Sequence, residues 1–273
     1  MMRSLLYVPA NNARFIAKAH ERGADAIILD LEDAVPVAEK DSARAGLAEA
    51  VQAVAKSGAK VFVRINPEPE RQHLDAEAAC RAGADGLYVA KATTPDTFVA
   101  LAALLHPLEV PLRREPMTMV ALIEDPGAVL DARVIARAPR VIGLSAGGED
   151  IALALGGTPT PEVLRFPKLL IHYAAKAEGL LSFGLLRSSA DYADHTAIIA
   201  AVAEAREHGF DGASCVHPAL VPLLNQGFSP SAEELDWARR VVAAAETSGG
   251  AFTVDGRMVD APVIARARRL LGL

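Results

Sequence analysis

Residues 26–35 read AIILDLEDAV: an unbroken apolar start, then Asp30, Glu32 and Asp33 packed into four positions. The run does not alternate polar with apolar, so the strand it predicts is covered on both faces, as in a parallel sheet flanked by helices. Three carboxylates at the exit of such a strand serve either solubility or chemistry. Outward from this stretch the same unit recurs: a short apolar run, a polar or Gly/Pro-marked exit, and an Ala-rich segment of helical period. The other runs are SLLYVP (4–9), KVFVRI (60–65), GLYVAK (86–91), MTMVALI (117–123), VIGLSA (141–146), LLSFGLL (180–186) and GASCVH (212–217). Between them lie segments such as ARFIAKAHERG (13–23), HLDAEAACRAG (73–83) and TAIIAAVAEAREHG (196–209), each closed by the glycine expected at a helix stop.

Eight strand–helix units within about 250 residues match a closed (β/α)8 TIM barrel of the α/β class. An open doubly wound sheet would usually have fewer strands and a nucleotide-type glycine loop, and no G-x-G-x-x-G follows the first strand. The expected organisation is a barrel over residues 1–245 and a C-terminal lid with a helical extension over 246–273. In that last part VDGRMV reads as a turn and APVIARARRLLGL as a helix whose apolar face needs cover.

Composition excludes several classes. The 273 residues are 51% hydrophobic, enough for a large core. With 28 basic and 34 acidic side chains the formal charge is −6, so phosphate backbones gain no general attraction and nucleic acid is not an expected partner. Cys80 and Cys215 form neither a disulfide framework nor a C-x-x-C motif, which predicts a reducing compartment and two small core residues. The N-terminal MMRSLLYVPA has too short an apolar run for a signal peptide, and no window approaches a membrane span. A soluble, cytoplasmic protein without membrane partners is expected.

A barrel places its active site at the C-terminal ends of its strands. The exits, in order, present Pro9, Asn11 and Asn12; Asp30, Glu32 and Asp33; Arg64 and Asn66; Lys91; Glu124 and Asp125; Glu149 and Asp150; Arg187; and His217 before Pro218. Several carboxylates facing a few cations, with no His or Cys cluster, suit a hard, oxygen-liganded ion such as Mg²⁺. Glu124 and Asp150, from adjacent strands, are the best-placed pair for it, or else they pair with Arg or Lys across the mouth. Arg64 has the planar fork that clamps a substrate carboxylate through two parallel hydrogen bonds, or else it neutralises Asp30, Glu32 and Asp33 on the neighbouring strand. Lys91 is read as a partner for the acids of strands two and five in preference to a Schiff-base lysine. His217 is either a base or part of a tight strand-to-loop turn, and the turn is preferred. His20, His106, His172, His195 and His208 fall in helix-like or loop segments with no catalytic part, and Trp237 lies at core helix spacing.

The ordered set RSLLYVPANN, DLEDAV, VRIN, LIE, GGEDIALALG, VHP and DGRMVDAP, running from Arg3 to the last helix, resembles the citrate lyase beta subunit-like family of the HpcH/HpaI aldolase/citrate lyase superfamily. The resemblance implies a TIM barrel that binds one Mg²⁺ through Glu124 and Asp150 and holds the 2-oxo acid end of its substrate with Arg64. Glu32 and Asp33 then orient Arg64 and metal-bound water, and Asn11 and Lys91 join Glu32 and Arg64 in binding substrate. The implied reaction cleaves or forms the bond between an acetyl-thioester carbon and a 2-oxo acid, as in citramalyl-, malyl- or citryl-CoA. The resemblance further implies a homotrimer or dimer of trimers, in which Asp260 of one subunit enters a neighbour's site as a catalytic acid/base beside Arg64 and Asp33. Asp260 alternatively caps its own helix.

Two departures stand out: Asp125 follows Glu124 where Thr is usual, and Gly184 stands where relatives commonly carry an acid. Arg187, near the second, either meets an acidic substrate group or is a solvated surface residue. Alternative functions are a metal-dependent aldolase on free 4-hydroxy-2-oxo acids, whose signature has a His base where this chain has Asp33, and a non-autonomous protein. The latter is the lyase subunit of a citrate lyase complex served by an acyl carrier protein, or a binding protein without turnover.

Overall fold

The computed structural model describes residues 2–188 and 192–273. Eight strands form one parallel sheet: β1 (Ser4–Pro9), β2 (Ala26–Asp30), β3 (Lys60–Ile65), β4 (Gly86–Val89), β5 (Thr118–Ile123), β6 (Val141–Ala146), β7 (Leu181–Phe183) and β8 (Ala213–Cys215). Their order is β7-β6-β5-β4-β3-β2-β1-β8, and a parallel bridge from Phe183 to Gly212 joins the two ends, closing the barrel. The eight runs predicted from sequence are these eight strands. β7 is shorter than the run LLSFGLL because the chain leaves the sheet at Gly184, whose φ of +157° an L side chain adopts only with strain.

Alternation along each strand sorts the side chains. One set, including Leu6, Val8, Ile27, Leu29, Val61 and Val63, packs outward under the helices. The other, Leu5, Ile28, Phe62, Tyr88, Leu122 and Phe183, fills the interior. Two residues beyond Ile28, Phe62 and Leu122 on the same face come Asp30, Arg64 and Glu124. The period of two therefore carries those three charged groups to the top of the interior stack, and the register sets Asp30 directly beside Arg64.

The chain divides into two compact units, Met1–Phe228 and Ser229–Leu273. The second holds the helix Ala232–Thr247, entered through a capping box of Ser231 and Glu234. A hairpin of β9 (Phe252–Val254) and β10 (Arg257–Val259) follows, then the helix Ala261–Leu271. Asp255 and Gly256 both take positive φ in the two-residue hairpin turn, where such sequences are favoured. Ala238, Val241, Val254, Val259 and Ala267 form its core, with Trp237 packed against them. The helix Ala232–Thr247 thus shares a core with the C-terminal hairpin and helix. Cys80 and Cys215 are both buried and free. Among the described residues no helix is long and apolar enough to cross a membrane.

Candidate active site

Arg64 stands at the centre of the barrel mouth. Its Nε and Nη2 donate to the two carboxylate oxygens of Asp30 at 2.7 and 2.6 Å, a bidentate pair inside a buried site. Nη1 faces Glu32 at 2.9 Å and Asp33 at 3.4 Å, and the guanidinium lies 5.0 Å from the centre of the Tyr7 ring. Neutralisation of the DLED acids is thus the arrangement present. The Nε/Nη2 edge is held by Asp30 and Nη1 by Glu32, with Asp33 more distant on the same side. Burial works to lower the guanidinium pKa, but the hydrogen bonds and charges of Asp30 and its neighbours raise it above its ordinary value. Arg64 is a permanent cation.

Lys91 has a left-handed backbone, φ 50°, and connects two exits. Its Nζ donates to Glu32 at 2.8 Å and its backbone N–H to Glu124 at 2.8 Å, the partnership with strands two and five that its position predicted. Lys40, whose Nζ donates to the carbonyls of Leu31 and Glu32 and to Asn66, fixes the turn that carries the acids. Burial pushes Glu32 above its ordinary pKa, helped by Asp33, against the charge of Arg64.

Glu124 and Asp150 differ from these acids. Glu124 is 6% exposed, and Asp150 lies in the first turn of the helix Gly148–Ala154, directly after β6. Burial, opposed by the Lys91 N–H and reinforced by the charge of Asp150, pushes Glu124 up to about 8. Gly147 makes room for it, since a Cβ there would lie 2.5 Å from Glu124 Cγ and Oε1. Neither carboxylate has a cation within ion-pair distance among the described residues. A buried carboxylate beside a second acid is costly in a solvent-poor pocket unless a cation comes between them. Among the described residues no group of three or more His, Cys, Asp and Glu could hold a metal ion by itself, and Glu124 and Asp150 are two carboxylates on one cavity without an ion-pair partner. That set suits Mg²⁺, which takes one or two carboxylates and leaves other positions to water and substrate oxygens.

A cavity of about 380 Å³ is bordered by Asp30, Asp33, Arg64, Glu124 and Asp150 together. The structure thus gathers four of the predicted site residues, Asp33, Arg64, Glu124 and Asp150, around one space, with Glu32 bonded to Arg64 and Lys91 to Glu124. It does not gather Asn11, which is exposed and donates to Glu39 at 2.7 Å instead of facing the cavity. Asp260 accepts from the N–H of Val263 at 3.4 Å as N-cap of its own helix. His217 accepts from the N–H of Ala219 and stacks on Tyr192, as the turn reading expected. The extra charge of Asp125 is spent on capping, for its carboxylate accepts from the N–H groups of Gly127 and Ala128.

Sequence reasoning missed three groups here. Tyr7 lines the cavity beneath Arg64, and Lys168, from the middle of the helix Pro161–Ala177, lines its far side. Next to the acid cavity, and sharing Tyr7, Pro9 and Val216 with it, is a groove of about 280 Å³ edged by Arg14, Lys18 and Arg22. The spacing of four between these cations was the available signal, since it puts them on one helical face.

The model of the HpcH/HpaI aldolase/citrate lyase family matches residues 3–218. The citrate lyase subunit beta of Escherichia coli (strain K12) is 35% identical over 279 residues, covering 98% of this chain and 92% of that protein. A (3S)-malyl-CoA thioesterase of Cereibacter sphaeroides (strain ATCC 17029 / ATH 2.4.9) is 35% identical over 98% of this chain and 93% of its own length. Among solved structures, the CitE protein of Mycobacterium tuberculosis in complex with magnesium, acetoacetate and coenzyme A superposes with a TM-score of 0.80 at 31% identity, covering 98% of this chain and 96% of the other.

Proposed function

The chain belongs to the HpcH/HpaI aldolase/citrate lyase family, and we propose that it is a Mg²⁺-dependent lyase that cleaves or forms the carbon–carbon bond of a 3-hydroxyacyl thioester. The products of cleavage are an acetyl thioester and a 2-oxo acid. The observation that carries this reading is the pair Glu124 and Asp150, two acids without a cation beside a permanently charged Arg64. Mg²⁺ held by the pair supplies Lewis-acid polarisation of the oxygen that becomes the 2-oxo group. Arg64 Nη1 draws the acid end of the substrate toward the mouth, while Asp30, Glu32 and Lys91 keep the guanidinium from turning. Asp33, exposed at the rim, offers a carboxylate to water entering the site.

The neighbouring groove favours a thioester over a free hydroxy-oxo acid. Arg14, Lys18 and Arg22 are exposed, with no carboxylate partner among the described residues, and suit the phosphates of CoA. The groove joins the acid cavity at Tyr7, so a carrier lying in it delivers its acyl end to Glu124. A neighbouring subunit's Asp260 then supplies or removes the proton at the acetyl carbon in a trimer.

The deciding experiment is a substrate panel: citramalyl-, malyl- and citryl-CoA and free 4-hydroxy-2-oxo acids, each assayed with and without Mg²⁺. Turnover of a CoA ester only with Mg²⁺ is expected. Turnover of free acids alone assigns the aldolase activity instead, and activity only with an acyl carrier protein assigns a complex subunit.

A further inference from the structure

Lys168 is 5% exposed, yet it reaches the acid cavity from a helix behind the barrel. Its Nζ donates to the carbonyl of Leu185 at 3.0 Å and to that of Arg187 at 2.7 Å, both in the segment leaving β7. The same ammonium lies close beside Gly148, in the turn that carries Asp150. A Cβ on Gly148 would stand 3.2 Å from Nζ and 3.3 Å from Cε, close enough that the lysine would have to shift by a few tenths of an ångström. A second tie joins the two segments, for the Ser188 hydroxyl donates to Glu149. Residues 147–150 and 185–188 are therefore linked directly by Ser188 and Glu149, and Lys168 is hydrogen-bonded to the second segment while packing beside Gly148 of the first.

A buried ammonium is costly unless its donors are used, and hydrocarbon would fill the same space more cheaply. Burial, countered by the charge of Glu149, lowers Lys168 to about 8, so at neutral pH it still carries its proton and its donors. No carboxylate lies within ion-pair distance among the described residues, and two of its three N–H groups go to main-chain carbonyls. Its partners are pieces of backbone at the rim, which marks its task as geometric.

We propose that Lys168 is a positioning residue for the metal site: it holds residues 185–188 against the turn 147–150 and so fixes where Asp150 stands relative to Glu124. The proposal rests on the reading of those two acids as Mg²⁺ ligands. Charge and geometry predict opposite signs on removal. Loss of a nearby cation by itself relieves repulsion and tightens Mg²⁺ binding, whereas loss of the fastening loosens the turn and weakens it.

The test is Mg²⁺ titration calorimetry and amide hydrogen exchange on wild type, Lys168→Met, Lys168→Arg and Ser188→Ala. Lys168→Met is expected to bind Mg²⁺ about 10-fold more weakly, as removal of a group that orients a ligand typically does. Its exchange should quicken at 147–150 and 185–188 while the other strands stay protected. Lys168→Arg, which keeps charge and donors, should recover most of the affinity. Unchanged or tighter Mg²⁺ binding in a folded Lys168→Met protein overturns the proposal, and so does unchanged exchange at both segments. If Lys168→Met fails to fold, Ser188→Ala tests the same fastening: weaker Mg²⁺ binding with faster exchange supports it, and wild-type behaviour in both overturns it. If wild type binds no Mg²⁺, the ligand assignment has failed, and exchange alone decides whether Lys168 fastens the rim.

Discussion

At the N-terminal end of the strands, three copies of Gly-x-Asp precede β2, β4 and β8: Gly23 to Asp25, Gly83 to Asp85 and Gly209 to Asp211. Each glycine ends a helix with positive φ, and each Asp accepts the N–H that opens the neighbouring strand, from Arg3 at 2.8 Å, Val61 at 2.8 Å and Ser182 at 2.7 Å. Each also meets a cation, Arg3, Lys60 or Lys176. At the C-terminal end Asp30, Glu32 and Asp33 are likewise matched, but Glu124 and Asp150 have no cation within ion-pair distance among the described residues, although Arg64 and Lys168 border the same cavity. The folding chain closes its charges where only structure is at stake. On the proposed reading, the two acids without an ion-pair partner are where Mg²⁺ binds.

The sharpest break of this contrast is at Arg64, which has a foot in both roles. Arg64→Ala leaves Asp30, 1% exposed, as a buried charge without its partner, and should destabilise the barrel by about 3–5 kcal/mol in denaturant unfolding. The double change Arg64→Ala, Asp30→Asn should recover much of that stability but none of the activity. Recovery of activity would mean that Arg64 does no more than neutralise Asp30. A lysine ammonium at this position cannot span both oxygens of Asp30, so Arg64→Lys is expected to resemble Arg64→Ala in kcat/KM.

Glu124→Gln and Asp150→Asn come next. Each should lower activity roughly 10²–10³-fold, the range seen when one charge-stabilising group is removed, and abolish Mg²⁺ binding by calorimetry with folding intact. Unchanged Mg²⁺ affinity in both variants would assign the metal elsewhere.

The two ends should also respond to pH with opposite sign. Glu124 is raised by folding, from an ordinary 4.5 to about 8, so the folded state holds a proton that the unfolded chain has lost. In Mg²⁺-free protein its contribution is full below about 4.5 and fades as pH climbs toward 8, by a few kcal/mol at most. Asp25 behaves in reverse: burial works to raise it, but the hydrogen bonds and charge of Arg3 hold it below its ordinary value, so its contribution is present above that value and fades in acid. Thermal melts of Glu124→Gln and Asp25→Asn from about pH 2 to 9 separate the two, and a Glu124→Gln curve parallel to wild type across about pH 5–8 would contradict the raised pKa.

The smallest effect belongs to the closed end. Asp85→Ala deprives the buried start of β3 of its acceptor and should cost about 1–3 kcal/mol of stability, with Mg²⁺ affinity unchanged. Lys60→Ala, which removes an exposed partner of the same acid, should cost under about 1 kcal/mol. A loss of Mg²⁺ binding in either variant would erase the distinction between the ends.

The barrel was legible because covered strands need unbroken apolar runs and helices need glycine stops, both local demands written in consecutive residues. The acids and Arg64 were legible for a related reason: a charged residue two places beyond an inward apolar one must point the same way. Their division of labour was not. Whether Arg64 meets Asp30 or a substrate, and which acids remain without a cation, depends on distances between strands that sequence spacing does not contain. Asn11 looked like a site residue from its place at a strand exit, but the loop turns it to Glu39. Lys168 gave no sign at all, sitting mid-helix among apolar neighbours; only the packing of that helix against two rim segments brings its ammonium to the cavity. The sequence by itself determined the strands, their parallel order and the sign of the charge at their ends, since each follows from nearest-neighbour chemistry. Tertiary structure alone decided which charges cancel, because cancellation is a matter of a few ångströms between residues far apart in the chain.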